Sequence, residues 1–388
     1  MSIFLLILGS IVAADIAWWW FVHRLCNRLA HPGAWKWGVG LFMGVQLGLI
    51  LWIIAARRIG PDTPGPPDWV MSFVYLWHLL VMPATLLVAL MWGLFAGVRT
   101  GWDRLRGKPA PTVDSARRRF IASAAIAAPP VLTGGLVGYS IPHLQQFRVR
   151  RINVPIPGLP PELEGVRIAH VSDLHVGTFT NDRLLRRIVS AVSAMDADLV
   201  VMPGDLINNR LSDLSAALDA VTNIQTRHAP LLCIGNHDLI EDGETFIRRA
   251  KERADLLINE SRTLTIRGRE VQVLGLPWAR QESRIREMVA SIARQVRPGA
   301  LPILLAHHPH AFDAAAEAGI PLTLSGHTHG GQLMLNERVG FGPAMFRYWT
   351  GLYRKGGSSL VVSNGVGHWY PVRIAAPAEI IVVVLTAA

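Results

Sequence analysis

Pro230-Leu231-Leu232-Cys233-Ile234-Gly235-Asn236-His237-Asp238 is an apolar run that stops on an amide, an imidazole and a carboxylate. It reads as a buried strand that carries polar groups to the edge of a sheet. Open α/β sheets build their sites there, beyond the carboxyl ends of the strands. Asn, Gly and Asp are also ordinary turn residues. Taken alone, the tetrapeptide is equally a strand-to-loop turn.

Four further strand candidates end the same way. Val166-Ser172 ends in Asp173-Leu174-His175, and Leu199-Pro203 ends in Gly204-Asp205. Ile303-Ala306 ends in His307-His308-Pro309, and Leu322-Ser325 ends in Gly326-His327-Thr328-His329. One such ending is noise; five in one domain are not a set of satisfied core histidines. Carboxylates, imidazoles and an amide oxygen, without thiolates, suit divalent transition metals of intermediate hardness. Two such ions about 3.5–4 Å apart form the clamp used in phosphoryl-transfer hydrolysis. Helix candidates alternate with the strands: 183–194, 211–224, 244–253, 284–293 and 311–318. The pattern is that of an α/β domain.

At these five blocks the chain resembles the calcineurin-like metallophosphoesterases, with Asp-x-His, Gly-Asp, Gly-Asn-His-Asp, His-x-Pro and Gly-His-x-His in the family's order. The resemblance covers Val166 to the C-terminus and implies an α/β/β/α sandwich. It implies that Asp173, His175 and His329 hold a first divalent ion and that Asn236, His307 and His327 hold a second. Asp205 would bridge the two, the ions being Mn, Fe or Zn. By the same resemblance His237 faces the phosphate and supports the leaving group, and Asp238 orients His237. Within the family, Leu324-Ser325-Gly326-His327-Thr328-His329-Gly330-Gly331-Gln332 looks most like the bacterial membrane-associated phosphodiesterases.

The rest of the chain points to a membrane. Of 388 residues, 51% are hydrophobic and 17% charged, more apolar than an average soluble protein. Apolar runs near 3–22, 38–56, 69–98 and 120–141 read as four spans, each long enough for the roughly 20 residues a crossing needs. Pro83 lies inside the third, where Pro is tolerated and can bend the helix. Pro129-Pro130 breaks the fourth. His78, in the third, shows no partner in the sequence and reads as a helix-packing or interfacial residue. Arg117-Arg118-Arg119-Phe120-Ile121 resembles a twin-arginine export signal and equally a basic stop before an outward helix. Cys26 and Cys233 provide no disulfide framework.

Residues 99–119 alone carry seven Lys/Arg and two acids. The loop holding Arg24, Arg28 and Lys36 is basic as well, whereas the loop between the second and third spans balances Arg57 and Arg58 with Asp62 and Asp68. The bias puts the basic loops in the cytoplasm and the C-terminal domain outside. The expected organisation is a membrane domain, 1–142, a Pro-rich linker, 143–165, and a phosphoesterase domain, 166–388. The last 269 residues carry a net charge of only +3, too little for a nucleic-acid face.

Arg210, just beyond Asp205, and His368, in a Gly-rich loop, are candidate substrate contacts. Between Gln332 and Leu360 lies a segment of mixed aromatic and basic residues. It reads as a lid, as a patch on anionic headgroups or as a packed insertion. Expected partners are membrane lipids and a phosphoester, lipid-linked substrates being favoured by location. Some relatives act on a lipid-A precursor diphosphate at the cytoplasmic side, which the expected topology argues against. The alternative is a membrane scaffold or sensor that uses the fold for binding alone.

Overall fold

The computed structural model describes residues 3–59, 66–107, 114–336 and 338–388, with backbone only for 3–8 and 57–59. Asp62 and the middle of the third loop, 108–113, lie outside the described residues. The chain divides into two compact units, Met1–Ile141 and Pro142–Ala388.

The first unit is helical: α1 (Ile3–Cys26), α2 (Pro32–Ile59), α3 (Asp68–Leu76), α4 (Met82–Leu105) and α5 (Ser115–His143). Among the described residues, Pro32–Ala56, Asp68–Leu105 and Ser115–His143 are long and apolar enough to cross a membrane. The first expected span falls on α1, whose side chains are described only from residue 9 on. Leu87, Val88, Leu90, Met91 and Trp92 of α4 are all exposed, an exterior suited to hydrocarbon rather than water.

A five-residue π-helical turn, Trp77–Val81, joins α3 to α4 and ends two residues before Pro83. The Pro ring cannot donate to the preceding turn, and the wider turn accommodates it. Pro129-Pro130 does not break α5, contrary to expectation. Thr133 Oγ1 donates to the Pro129 carbonyl at 2.9 Å. His78 does have a partner: its Nε2 lies 3.4 Å from Asp15 Oδ2 of α1.

The second unit holds two six-stranded sheets. The first runs β1 (Arg148–Ile156), β14 (Glu379–Ala387), β2 (Arg167–His170), β3 (Leu199–Pro203), β4 (Leu231–Cys233), β5 (Asp255–Leu256). The second runs β12 (Gly351–Lys355), β13 (Ser358–Val362), β9 (Leu322–Ser325), β8 (Leu301–Leu305), β7 (Arg269–Gly275), β6 (Glu260–Ile266). Strands β2 to β5 are mutually parallel, as are β13, β9, β8 and β7.

Ile168, Val201, Leu231, Val273, Ile303 and Leu324 meet in the core between the sheets. The outer face of the first sheet packs on α6 (Asp182–Ser193), α7 (Leu214–Thr222) and α8 (Gly243–Arg253). The outer face of the second packs on α9 (Glu282–Ala293) and α10 (Ala311–Glu317). Covered on both faces, β3 is buried at all five positions, which is why it reads as an uninterrupted apolar run. Each fully buried Val, Leu or Ile contributes about 1.5–3 kcal/mol. The architecture is the expected α/β/β/α sandwich.

The expected linker is corrected in part. Residues 148–156 form edge strand β1, parallel to β14 from Arg148↔Glu379 to Ile156↔Ala387. Ile152, Val154 and Ile156 alternate inward. Arg148 Nη2 meets buried Glu379 Oε2 at 2.8 Å. The prolines conceal this period-two signal, and an edge strand tolerates the Pro155 that a central one would not.

Candidate metal centre

Each of the five blocks leaves the end of a parallel strand. Asp173 and His175 follow β2, Asp205 follows β3, and Asn236, His237 and Asp238 follow β4. His307 follows β8, and His327 and His329 follow β9. Both sheets thus deliver side chains to one place. Five of these residues, Asp173, His175, Asp205, His327 and His329, have left-handed backbone with φ between 46° and 72°. Such non-glycine conformations cost on the order of 1–3 kcal/mol each and gather at functional sites.

The side chains form two abutting clusters, Asp173, His175 and His329 in one and Asp205, His307 and His327 in the other, and a third group, His175, Asp205 and His237, spans them. In the first, His175 Nε2 and His329 Nε2 are 3.0 Å apart, and Asp173 Oδ1 lies 3.5 Å from His329 Nε2 and 3.8 Å from His175 Nε2. Asp205 Oδ2 stands 3.1 Å from His307 Nε2 and 3.5 Å from His175 Nε2, on the border of both clusters. Donors bound at about 2.0–2.2 Å to one ion lie about 3 Å from each other, so these spacings suit divalent ions. Asn236 Oδ1 is buried without a hydrogen-bond donor, a costly state for an amide oxygen that a cation would relieve. The donor set fits divalent metal.

The supporting contacts fix how the donors present themselves. His307 Nδ1 donates to the Pro203 carbonyl at 2.7 Å, which leaves Nε2 for the site. Asp173 accepts the His327 N–H at 3.0 Å. A Cβ on Gly235 would stand 2.1 Å from Asp205 Oδ1; only glycine admits the carboxylate there. Burial opposes the charge on His307, but Asp205 beside it raises its pKa above the ordinary imidazole range. Burial and the neighbouring Asp205 push the Asp173 carboxyl up.

Asp238 does not orient His237. Its Oδ1 accepts from the Leu206 and Ile207 amides at 2.8 and 3.2 Å. Its Oδ2 accepts from those of Gly235 and Asp205 at 2.9 and 3.0 Å. With four backbone donors converging, the carboxylate ties the β3 loop to the β4 loop. The orienting partner of His237 is the Asn208 carbonyl, 2.5 Å from Nδ1. The His237 amide donates to Asp205 Oδ1 at 2.8 Å, and its ring lies edge-on to His175.

His368 packs against Arg373, which in turn meets His329. His368 is buried, and its Nδ1 accepts from Arg373 Nε at 3.4 Å. Arg373 is a supporting residue that no strand ending announces. Its buried guanidinium meets His329 Nδ1 at 2.8 Å and donates to the carbonyls of Asn364 and Gly367 at 2.6 and 2.7 Å. Arg210 is half-buried ahead of a 3₁₀ turn, and the structure gives it no contact with the clusters. Trp278, three residues past β7, lies 5.0 Å from His327 and 5.5 Å from His307 between ring centroids. Trp369 lies 6.2 Å from His237. These indoles wall the centre on two sides; an apolar strand running into Pro277-Trp278 offers no polar ending to notice.

A family model, Calcineurin-like phosphoesterase, matches residues 166–331. A Danio rerio protein described as a transmembrane protein with metallophosphoesterase domain is 28% identical over 98% of this chain and 89% of its own. An uncharacterised metallophosphoesterase of Campylobacter jejuni is 26% identical over 62% of this chain and 63% of its own. A Chlamydia trachomatis UDP-2,3-diacylglucosamine pyrophosphatase is 34% identical over 29% of this chain and 34% of its own. The matched stretch holds all nine residues from Asp173 to His329 discussed above, and over residues 166–331 the chain is similar to the calcineurin-like phosphoesterase family.

Proposed function

We propose that the chain is a membrane-anchored phosphoesterase that uses two divalent ions to cleave phosphodiester or diphosphate bonds of envelope or lipid-linked substrates. One observation carries this reading: a single oxygen, Asp205 Oδ2, lies within 3.5 Å of an imidazole from each cluster. Asp173, His175 and His329 would hold one ion, and Asn236, His307 and His327 the other, with Asp205 between. When bound, the ions supply charge for the phosphate oxygens and activate water for in-line attack.

The chain's own residues do the rest. His237 donates Nδ1–H to the Asn208 carbonyl, which leaves Nε2 to meet a phosphate oxygen or hand a proton to the departing alkoxide. Asp238 holds the backbone beneath Asp205, and Arg373 fixes the loop behind His329. Trp278 and Trp369 narrow the approach and exclude water from it.

Placement of the domain outside the cytoplasm rests on the Lys/Arg bias of the loops. The name of the Chlamydia relative supports a lipid-linked diphosphate as one substrate class. A reporter fused after Ala388 should be active only outside the cytoplasm. The full-length chain with Mn²⁺ should hydrolyse bis(4-nitrophenyl) phosphate, and Asp205→Ala should abolish this. Unchanged hydrolysis by the variant would defeat the proposal.

A further inference from the structure

We propose that the segment beyond the metal centre, residues 333–336 and 338–346, lays its exposed apolar side chains on the surface of the bilayer. It comprises β10 (Met334–Asn336), β11 (Val339–Gly340) and the short helix α11 (Phe341–Met345). Leu335 is 82% exposed, Met345 65%, and Val339 and Phe341 50% each. Ile374, 36% exposed, lies alongside through the Leu333↔Ile374 bridge. Among the described residues of the second unit, only Val149 and Ile240 are other exposed large hydrophobics. Scattered apolar residues on a surface are ordinary, whereas a gathered set marks an interaction site.

The hairpin has a built frame. The Phe341 amide donates to the Leu333 carbonyl at 3.1 Å, and the Phe346 amide to that of Gly342 at 2.9 Å. A Cβ on Gly340 would meet the Met334 backbone at 2.6 Å. Arg347 Nη1 meets Asp313 Oδ2 of α10 at 2.5 Å, and Lys355 Nζ meets Oδ1 at 2.9 Å. The frame is held, yet the apolar side chains point away from the core.

A lipid surface is the occupant that the chain itself supplies. In sequence, the second unit follows directly on a helix long and apolar enough to cross a membrane, so the membrane-anchored reading supplies the bilayer. The sequence between the two strands carries Glu337 beside Arg338, so the attraction to the bilayer rests on the exposed apolar side chains and not on charge. Phe346, at the base, packs edge-on against His327 with centroids 5.8 Å apart. A lipid drawn up at the hairpin would therefore arrive beside the donor cluster. This last step alone rests on the phosphoesterase reading, and it makes the substrate an amphiphile.

The test uses the full-length chain in phosphatidylcholine nanodiscs containing phosphatidylglycerol. Cys26 and Cys233 are both buried, so a thiol-reactive dye should label Leu335→Cys or Met345→Cys selectively. Doxyl-labelled lipid should quench the dye at both positions several-fold more than at Arg284→Cys, on the exposed face of α9. Equal quenching at all three, or shielding that persists in detergent without lipid, would overturn the proposal; the second result would indicate a protein partner. In a separate arm, Leu335→Ser with Met345→Ser should lower kcat/KM for a long-chain phosphodiester relative to a soluble one by on the order of tenfold. An unchanged ratio would remove the amphiphile step. Quenching is read without turnover, so inactivity on every ester would count against the phosphoesterase reading and leave lipid contact standing.

Discussion

The carboxylate of Asp238 accepts the backbone N–H of Asp205 at 3.0 Å. The residue that borders both donor clusters is thus positioned through its main chain by a second, buried acid. Asp238→Asn would turn an N–H₂ toward amides that are themselves donors. Supporting contacts of this kind typically alter metal affinity by about 10–100-fold. The variant should bind Mn²⁺ more weakly by that order in calorimetry. An orienting role toward His237 would instead leave affinity intact and lower turnover alone.

His237 should separate from the other histidines. Its Nδ1 is committed to the Asn208 carbonyl, and positioned general acids contribute about 10²–10⁴-fold in rate. His237→Ala should lose turnover in that range while retaining the wild-type metal content by elemental analysis. Loss of metal in step with activity would make His237 a ligand instead.

Gly235→Ala places a methyl group 2.1 Å from Asp205 Oδ1. The carboxylate must then move or the strand end must shift, at about 1–3 kcal/mol for overpacking. The variant should melt lower than the parent and should gain less in melting temperature when Mn²⁺ is added. Equal metal-induced gains in parent and variant would contradict the crowding argument.

Asp313 reports on the base of the hairpin. Burial opposes its charge, but hydrogen bonds from Lys355, Arg347 and Tyr348 hold its pKa below the ordinary carboxylate range. A depressed folded-state value stabilises the fold above the unfolded pKa of about 3.9, and the contribution fades as pH falls through the folded value. Asp313→Asn should lower stability near neutral pH by on the order of 1 kcal/mol. Chemical denaturation should show the gap between parent and variant closing as pH falls below about 3.9, the unfolded carboxylate reference. A gap independent of pH would assign the effect to packing.

Much of this architecture was legible in the sequence because strands covered on both faces read as unbroken apolar runs. The polar residues after them then stand out, as after Leu231–Cys233 and Leu322–Ser325. What the sequence concealed depends on distant partners. β1 pairs with a strand whose Glu379 is 231 residues from Arg148, and prolines mask its alternation. Asp15 reads as an interruption in an apolar run until His78 is found beside it. Asp238 adjoins His237 in sequence yet bonds amides 31 to 33 residues earlier. Arg373 follows no strand, and nothing local marks its contact with His329.

The most direct test of the central claim is electron paramagnetic resonance of the full-length chain titrated with Mn²⁺. Two ions sharing Asp205 should give an exchange-coupled signal at two equivalents per chain. Asp205→Asn should replace it with the six-line spectrum of isolated Mn²⁺. A six-line spectrum from the wild-type chain at full loading, or an exchange-coupled signal that survives in Asp205→Asn, would contradict the account.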